Sequence, residues 1–348
     1  MKIAIDSSPL FNPQHKVRGS GFYLHYLKSS LETYFPENEY LFFKQGEHIP
    51  KNFDVIHYPF FDPFFHTLTP FSSHKRVVTV HDLTPFVLPT KFPIGLKGKI
   101  NWQLQKFSLK RVNGVITDSQ SSKQDIARFT GVHKDAIHCV YLAAANDFIR
   151  LPAGKWRDEI KQKYKLPNSF VLYVGDATNN KNLVRLVQAI KKVKLPLVMI
   201  GKVLAQEFSE NNGWLSDQKN VILLTKDDPA FIRLGFVPTE DLVKIYNIAT
   251  VFAMPSLYEG FGLPILEAMQ SGAPVVTTKC GSLKEIAGDA AVFADPYSTE
   301  DIANAIVRLF DNNTMQESYR KKGLAQASKF TWKNTAEQTI AIYKKALQ

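Results

Sequence analysis

Cysteine is scarce: the 348-residue chain has two, Cys139 and Cys280. Two thiols cannot form a disulfide framework or a metal-ligand cluster, and their scarcity fits a reducing, cytoplasmic compartment. Long apolar runs are missing as well. None approaches the ~20 residues of a membrane span, and the opening MKIAIDSSPLF turns polar too soon for a secretory leader. That opening is expected to be a first buried strand. Neither half carries the full G-x-G-x-x-G fingerprint with an acidic partner ~20 residues on, so a nicotinamide-dependent oxidoreductase fits poorly. Short-period repeats and low-complexity tracts are absent too, which argues against a solenoid or a linker-like chain.

The length suits two domains of about 150–180 residues, and 45% hydrophobic residues is ordinary for a globular enzyme. The net charge of +11 is uneven: residues 1–165 hold 23 Lys and Arg against 14 Asp and Glu, and the remainder holds 20 against 18. A basic half points to a polyanionic neighbour (anionic lipid, nucleic acid or a phosphorylated substrate) or simply to solubility.

Short apolar runs alternate with amphipathic stretches. Lys2–Asp6, Asp54–Tyr58, Arg76–Asp82 and Gly114–Ser119 read as buried parallel strands, with helical patterns at Phe22–Tyr34 and Lys97–Arg111 between them. The second half repeats the plan. Strands are expected at Ser169–Asp176, Leu195–Gly201, Asn220–Thr225, Ile232–Val237, Thr250–Ser256 and Ala273–Thr278, and a helix at Asn182–Val193. Leu151–Asn168, lysine-rich with two prolines, reads as a linker with a short helix, and Thr331 as the N-cap of a closing helix. The expected class is α/β, two doubly wound Rossmann-like domains facing a cleft: residues 1–165, residues 166–330, and a final helix 331–348 packing back on the N-terminal domain.

Ligands of such sheets bind beyond the carboxyl ends of strands. After the first strand, RGSGFYLHYL sets Gly19 and Gly21 at a helix start, where backbone N–H groups can approach a phosphate or where the chain simply turns. His81, in HDLTP, ends a strand and can bond a sugar hydroxyl, move a proton, or be structural. VGDATNNKNL offers Gly175 for a turn and Lys181 near a helix start. A cation there opposes the helix dipole unless an anion accompanies it. In SLYEGFGLPILEAM, Pro264 suits the first helical turn and Gly272 the stop. The N–H groups near Gly262 and Leu263 suit a diphosphate. Glu259 and Glu267 would be repelled by that phosphate, and as acceptors they suit vicinal hydroxyls: Glu267 a ribose, Glu259 a sugar ring.

These stretches resemble glycosyltransferase family 4, retaining enzymes of GT-B fold. SLYEGFGLPILEAMQSGAPVVTT is similar to the family's donor-site signature, and GFVPTEDLVKIYNIATVFAMPS to the segment before it. GDATNNKNL, VVTVHDLTP, RGSGFYLHYL and FTWKNTAEQTIAIYKKAL resemble its lysine loop, histidine motif, glycine loop and closing helix, so the likeness spans nearly the whole chain. It is closest to mannosyl- and rhamnosyl-type members that build envelope polysaccharide. The resemblance implies that Lys181 neutralises the donor diphosphate and that Gly19 and Gly21 approach it. Backbone around Phe236 and Val237 would hold the base, and Glu267 the ribose. Glu259 with Gly260, Phe261, Gly262 and Leu263 would hold the sugar and phosphate, and His81 would contact the sugar near the reacting carbon. It implies a nucleoside-diphosphate-sugar donor (GDP-mannose favoured), no metal or other cofactor, a glycan or lipid-linked acceptor, and no nucleic-acid partner. The aromatic and basic stretches Tyr58–Phe65 and Thr84–Lys99 add an anionic membrane surface, reached from the cytoplasmic side, to the expected partners.

One position departs from the pattern. Many members have arginine after the glycine of the lysine loop, where this chain has Asp176. Lys202 and Arg18 are candidate replacements. The other readings left open are a GT-B epimerase or hydrolase and a sugar-nucleotide-binding protein without turnover.

Overall fold

The computed structural model describes residues 1–11, 19–205 and 213–348. Its chain divides into two units. The first comprises Met1–Val87, Ile94–Ala143 and Phe330–Gln348, and the second Leu88–Pro93 and Ala144–Lys329.

The first unit is built on six parallel strands in the order β2-β1-β3-β4-β5-β6. These are β1 Lys2–Asp6, β2 Glu39–Phe43, β3 Val55–Tyr58, β4 Lys75–Thr79, β5 Gly114–Thr117 and β6 Ile137–Cys139. The central strands are buried on both faces, so they read as continuous apolar runs rather than alternating ones. The helix Gly19–Tyr34 buries Tyr23, Leu24, Leu27 and Leu31 along one stripe. Against it lies the closing helix Trp332–Leu347, capped by Thr331, whose side chain accepts from the Asn334 N–H. Trp332 stacks on Tyr26 at 5.2 Å, and the Thr335 hydroxyl donates to the Tyr141 carbonyl.

The second unit also has six parallel strands, in the order β12-β11-β10-β7-β8-β9. They are β7 Val171–Val174, β8 Leu197–Ile200, β9 Phe231–Leu234, β10 Val251–Met254, β11 Val275–Thr277 and β12 Ala291–Phe293. Read from β9, this is the dinucleotide-fold order 3-2-1-4-5-6, and the order reverses between β7 and β10. The helix Leu183–Val193 buries Leu183, Leu186, Val187, Ala189 and Ile190 in a core shared with the helix Thr299–Phe310.

Residues 144–165 pack in this second unit. The helix Trp156–Tyr164 sends Lys163 and Tyr164 to Asp241 at 2.6 and 2.8 Å. The segment Leu88–Pro93 packs there too: Asn179 donates to the Lys91 carbonyl, and Phe92 meets Trp214 edge-on.

One expected strand is a helix. Asn220–Thr225 lies within the helix Ser216–Thr225. A strand would put Val221, Leu223 and Thr225 on one face. Instead Gln218, Val221 and Thr225 are buried, at helical spacing, and Leu223 is 62% exposed. A short apolar run carries no period of its own, so neighbouring packing decides it. The strands β2, β6 and β12 were not expected: β2 is an edge strand, and β6 and β12 have three residues each.

Candidate functional site

The second unit brings two loops together at its switch point, one after β7 and one after β10. Gly175 closes β7, its N–H bonded to the Ile200 carbonyl. The loop passes through a turn of 3-10 helix at Asn179–Lys181 and enters the helix Leu183–Val193 through Asn182, at φ 59°. Two asparagines do the stitching, and a third anchors the first loop from its other side. Asn182 donates to the carbonyls of Pro255 and Pro296. The Asn180 side chain donates to the Tyr258 carbonyl, and the Asn180 backbone carbonyl accepts from the Leu257 N–H. Asn179 bonds Gly213 and Asp217 as well as Lys91. All three are buried, so each amide must find partners: Asn180 and Asn182 hold one loop against the other, and Asn179 ties the first loop to Lys91 and to residues 213–217.

That stitching sets Lys181 against Glu259. The ammonium lies 2.9 and 2.8 Å from the two carboxylate oxygens, with the side chains 18% and 10% exposed. The anion that a lysine beside a helix start calls for is supplied by the chain itself.

The Glu259 loop is held from below. The Ser282 hydroxyl donates to the carbonyls of Glu259 and Phe261, and the Ser282 N–H to that of Glu259. Gly281, at φ 58°, passes so close that a Cβ there would sit 2.5 Å from the Glu259 oxygen. Only glycine meets both demands. Gly262, at φ 99°, caps the helix Leu263–Gln270, with Pro264 in its first turn and Gly272 just past its end. Leu263 starts the helix, and Gly260 and Phe261 lie buried in the turn before it.

Glu267 sits on that helix, half-buried, and accepts from the Tyr246 hydroxyl at 3.0 Å. Burial pushes its carboxyl up to about 7, against the opposing pull of the Tyr246 hydrogen bond. Phe236 and Val237 follow β9, Phe236 exposed and Val237 buried. Lys202 is exposed after β8. The backbone carbonyl of Asp176 accepts from the Tyr173 hydroxyl at 2.6 Å.

In the first unit, Gly19 and Gly21 open the helix Gly19–Tyr34, while Arg18 lies outside the described residues. His81 lies two residues beyond β4. Its Nδ1 is 2.7 Å from Oδ2 of Asp118, the residue directly after β5. The pairing of Thr79 with Ile116 sets these residues opposite one another, so the sheet register itself makes the contact. Burial alone would push the His81 imidazole down. The charge and hydrogen bond of Asp118 outweigh it, with smaller help from Asp82 and the Pro59 carbonyl, and the net shift is upward. Nε2 is buried, and the side chain as a whole is 19% exposed. Beneath this pair runs a chain of buried groups. Tyr343 bonds His57 Nδ1, His57 Nε2 bonds the Thr79 hydroxyl, and Thr79 bonds the Tyr23 hydroxyl. Burial, helped by the His81 charge, pushes His57 down to about 3. Tyr23 meets the His81 ring edge-on at 5.0 Å.

Sequence reasoning missed Asp118 and the His57 chain. Asp118 had one readable signal: it sits at the C-terminal end of a predicted strand, as His81 does. Among the described residues no group of three or more His, Cys, Asp or Glu is arranged to hold a metal ion.

Two doubly wound parallel sheets, one with charged and glycine-rich loops at its switch point, define the class of α/β proteins that bind ligands beyond the carboxyl ends of their strands. Two family models cover the chain: Glycosyltransferase Family 4 over residues 11–144 and Glycosyl transferases group 1 over residues 156–326. The O-antigen chain mannosyltransferase B of Escherichia coli is 34% identical over 302 residues, 84% of this chain and 75% of that protein. The serotype-specific mannosyltransferase WbdA of Escherichia coli is 27% identical over 79% of this chain, which spans about a third (34%) of WbdA. Among solved structures, a glycosyltransferase from Rickettsia africae ESF-5 superposes with a TM-score of 0.69 at 17% identity, covering 100% of this chain and 98% of that one. Anabaena Alr3699/HepE in complex with UDP-glucose gives 0.74 at 16% identity, covering 98% of each. The chain belongs to glycosyltransferase family 4, its second half matching the group 1 glycosyl transferases, and has the GT-B fold. It is a glycosyltransferase.

Proposed function

We propose that this enzyme moves a mannosyl residue, with retention, from a nucleoside-diphosphate sugar (GDP-mannose favoured) to a glycan or lipid-linked acceptor in envelope polysaccharide synthesis. The acceptor is met at the cytoplasmic face of a membrane. The observation that carries the reading is the Lys181–Glu259 pair at the β7/β10 switch point, with Glu267 on the helix that follows. The mannosyltransferase relatives support the choice of sugar.

In this mechanism the bond between the anomeric carbon and the phosphate oxygen breaks as the acceptor oxygen bonds the same carbon from the same face. The acceptor proton passes to the leaving phosphate. Lys181 and the N–H groups of the Gly260–Leu263 turn meet the negative charge that develops there. For this, Lys181 exchanges part of its contact with Glu259 for the phosphate, and Glu259 turns its freed lone pairs to sugar hydroxyls. Glu267 takes the ribose hydroxyls once ionised. Backbone at Phe236 and Val237 holds the base. Gly19 and Gly21 serve the phosphate, and His81, steadied by Asp118, serves the sugar. The chain's own charges supply this electrostatics, so no metal or cofactor is assigned to it.

The division into an N-terminal unit with the closing helix and a C-terminal donor unit is part of the same proposal. Asp176 favours a second reading, binding without turnover, because it puts a carboxylate where relatives carry a cation. A donor-hydrolysis and transfer assay over GDP-, UDP-, dTDP- and ADP-sugars tests both. The first reading requires turnover of GDP-mannose above the rest. Tight donor binding with no product would replace it with the second.

A further inference from the structure

We propose that the outward face of the helix Leu96–Leu109 is a docking surface for an anionic lipid bilayer. This deepens the membrane-side reading above, on which its purpose rests, by naming the surface that makes the contact.

The helix is amphipathic in the wrong sense for a water-facing element. Leu96, Ile100, Leu104 and Phe107 fall at spacings of four, four and three and form one stripe. That stripe is out in solvent, at 76%, 57%, 44% and 42% exposure. The buried face is substantially polar: Asn101, Gln105 and Ser108 are buried there beside Trp102 and Leu109. These polar groups are satisfied. Asn101 donates to the Phe64 carbonyl at 2.7 Å. Gln105 accepts from the Thr67 N–H, the Thr67 hydroxyl and the Leu68 N–H, and donates to the Leu68 carbonyl. The inward face thus clamps the loop 64–68 by hydrogen bonds, which leaves the apolar stripe turned out. Phe71, 77% exposed, extends the stripe. The Arg111 guanidinium lies 3.4 Å over the Phe107 ring and 5.9 Å from that of Phe71.

The charge around the stripe selects the occupant. No acidic residue occurs between Asp82 and Asp118. Lys97, Lys99, Lys106, Lys110 and Arg111 flank the stripe, and among the described residues none of them has a carboxylate partner. A second copy would bring like-charged faces together. A bilayer bearing anionic headgroups accepts both features: the aliphatic and aromatic stripe sinks to the acyl boundary, and lysine stems lie along it with their ammonium groups among the headgroups. No helix among the described residues is long and apolar enough to cross a membrane, so this one would lie in the interface plane.

The test is co-sedimentation of the full chain with phosphatidylcholine vesicles containing about one third phosphatidylglycerol, and with phosphatidylcholine alone. Wild type is expected to bind the anionic vesicles and to be released by salt. The double variant Leu96→Asp, Ile100→Asp is expected to weaken binding at least about tenfold. The double variant Lys97→Glu, Lys99→Glu is expected to lose the preference for phosphatidylglycerol. GDP binding and circular dichroism of each variant report whether it has folded, and Ile100→Ala serves where an aspartate is not tolerated. Absence of wild-type binding would overturn the proposal. So would binding that the stripe variants leave unchanged, or a dimer, seen by light scattering, that these substitutions dissolve. Failure of sugar transfer alongside the expected vesicle behaviour would sink the functional reading and leave this surface standing.

Discussion

The two units share a six-stranded parallel sheet but differ in wiring and in what they do with ionisable groups. In the first, strand order reverses between β1 and β3, and the His81–Asp118 pair follows β4 and β5, off the reversal point. In the second, the order reverses between β7 and β10, and the two loops bearing Lys181 and Glu259 leave those same strands. Diverging crossovers open a crevice at a reversal point, so loops there can meet each other and a ligand. The first unit instead buries its polar groups as a linked interior chain. Buried networks such as Tyr343–His57–Thr79–Tyr23 rigidify, whereas a pair at the reversal point lies where a ligand can take over one partner. The comparison predicts that breaking the second unit's pair damages turnover first, while breaking the first unit's pair damages stability first.

The largest effect is expected from Lys181→Ala. It removes the cation assigned to the leaving phosphate and strands the Glu259 carboxylate, and single-turnover transfer should fall about 10²–10³-fold. A smaller loss in Lys181→Arg would show that charge, more than shape, matters there. Turnover by Lys181→Ala at the wild-type rate would remove Lys181 from the site.

Asp118→Asn is expected next. It deletes a buried charge that is only 4% exposed and leaves His81 without its counter-ion, so urea denaturation should show a loss of about 2–3 kcal/mol. With Asp118 neutral, burial dominates and the His81 pKa should drop, which NMR titration can follow. In the wild type the raised His81 value contributes stability below the ordinary histidine range, and that contribution fades as pH rises through the raised value. A stability–pH curve identical in wild type and variant would contradict the pairing.

Gly281→Ala tests the support under Glu259. Its positive φ and the 2.5 Å approach to the Glu259 carbonyl force the loop to shift. A cost of about 1–3 kcal/mol is expected, with weaker donor binding by calorimetry.

The smallest and most specific effect concerns Glu267. Its carboxyl, raised to about 7, is partly protonated at neutral pH, whereas ribose hydroxyls need the carboxylate. Donor affinity should therefore fall as pH drops through 7, and binding should release a proton, visible as buffer-dependent calorimetric heats. Because the Tyr246 hydroxyl lowers this pKa, Tyr246→Phe should move the midpoint upward. The sign for stability is opposite: the raised acid stabilises the fold at low pH, and that contribution is lost as pH rises through about 7. A donor affinity flat between pH 6 and 8 (values chosen to bracket the pKa at about one unit on each side) would take Glu267 out of the ribose role.

Much of this architecture was legible in the chain. Continuous apolar runs such as Asp54–Tyr58 and Thr250–Ser256 mark strands covered on both faces. The Gly262, Pro264 and Gly272 punctuation bounds a helix that the structure places at Leu263–Gln270. Asn220–Thr225 was illegible because six apolar-rich residues suit either period, and packing chose the helix. The Lys181–Glu259 contact was illegible for another reason. Its partners lie 78 positions apart, and it depends on two buried asparagines, Asn180 and Asn182, whose targets exist only once β7 and β10 are neighbours.

By itself the sequence determined the α/β class, the paired sheets and the helix start beside Glu259, because strand burial, glycine conformation and proline geometry act over a few residues. Only the tertiary structure decided that Lys181 and Glu259 face each other, that Asp118 holds His81, and that the Leu96–Leu109 helix turns its apolar stripe outward. Each of these depends on which backbone groups a neighbouring element leaves to be satisfied, and that is settled by strand order and register.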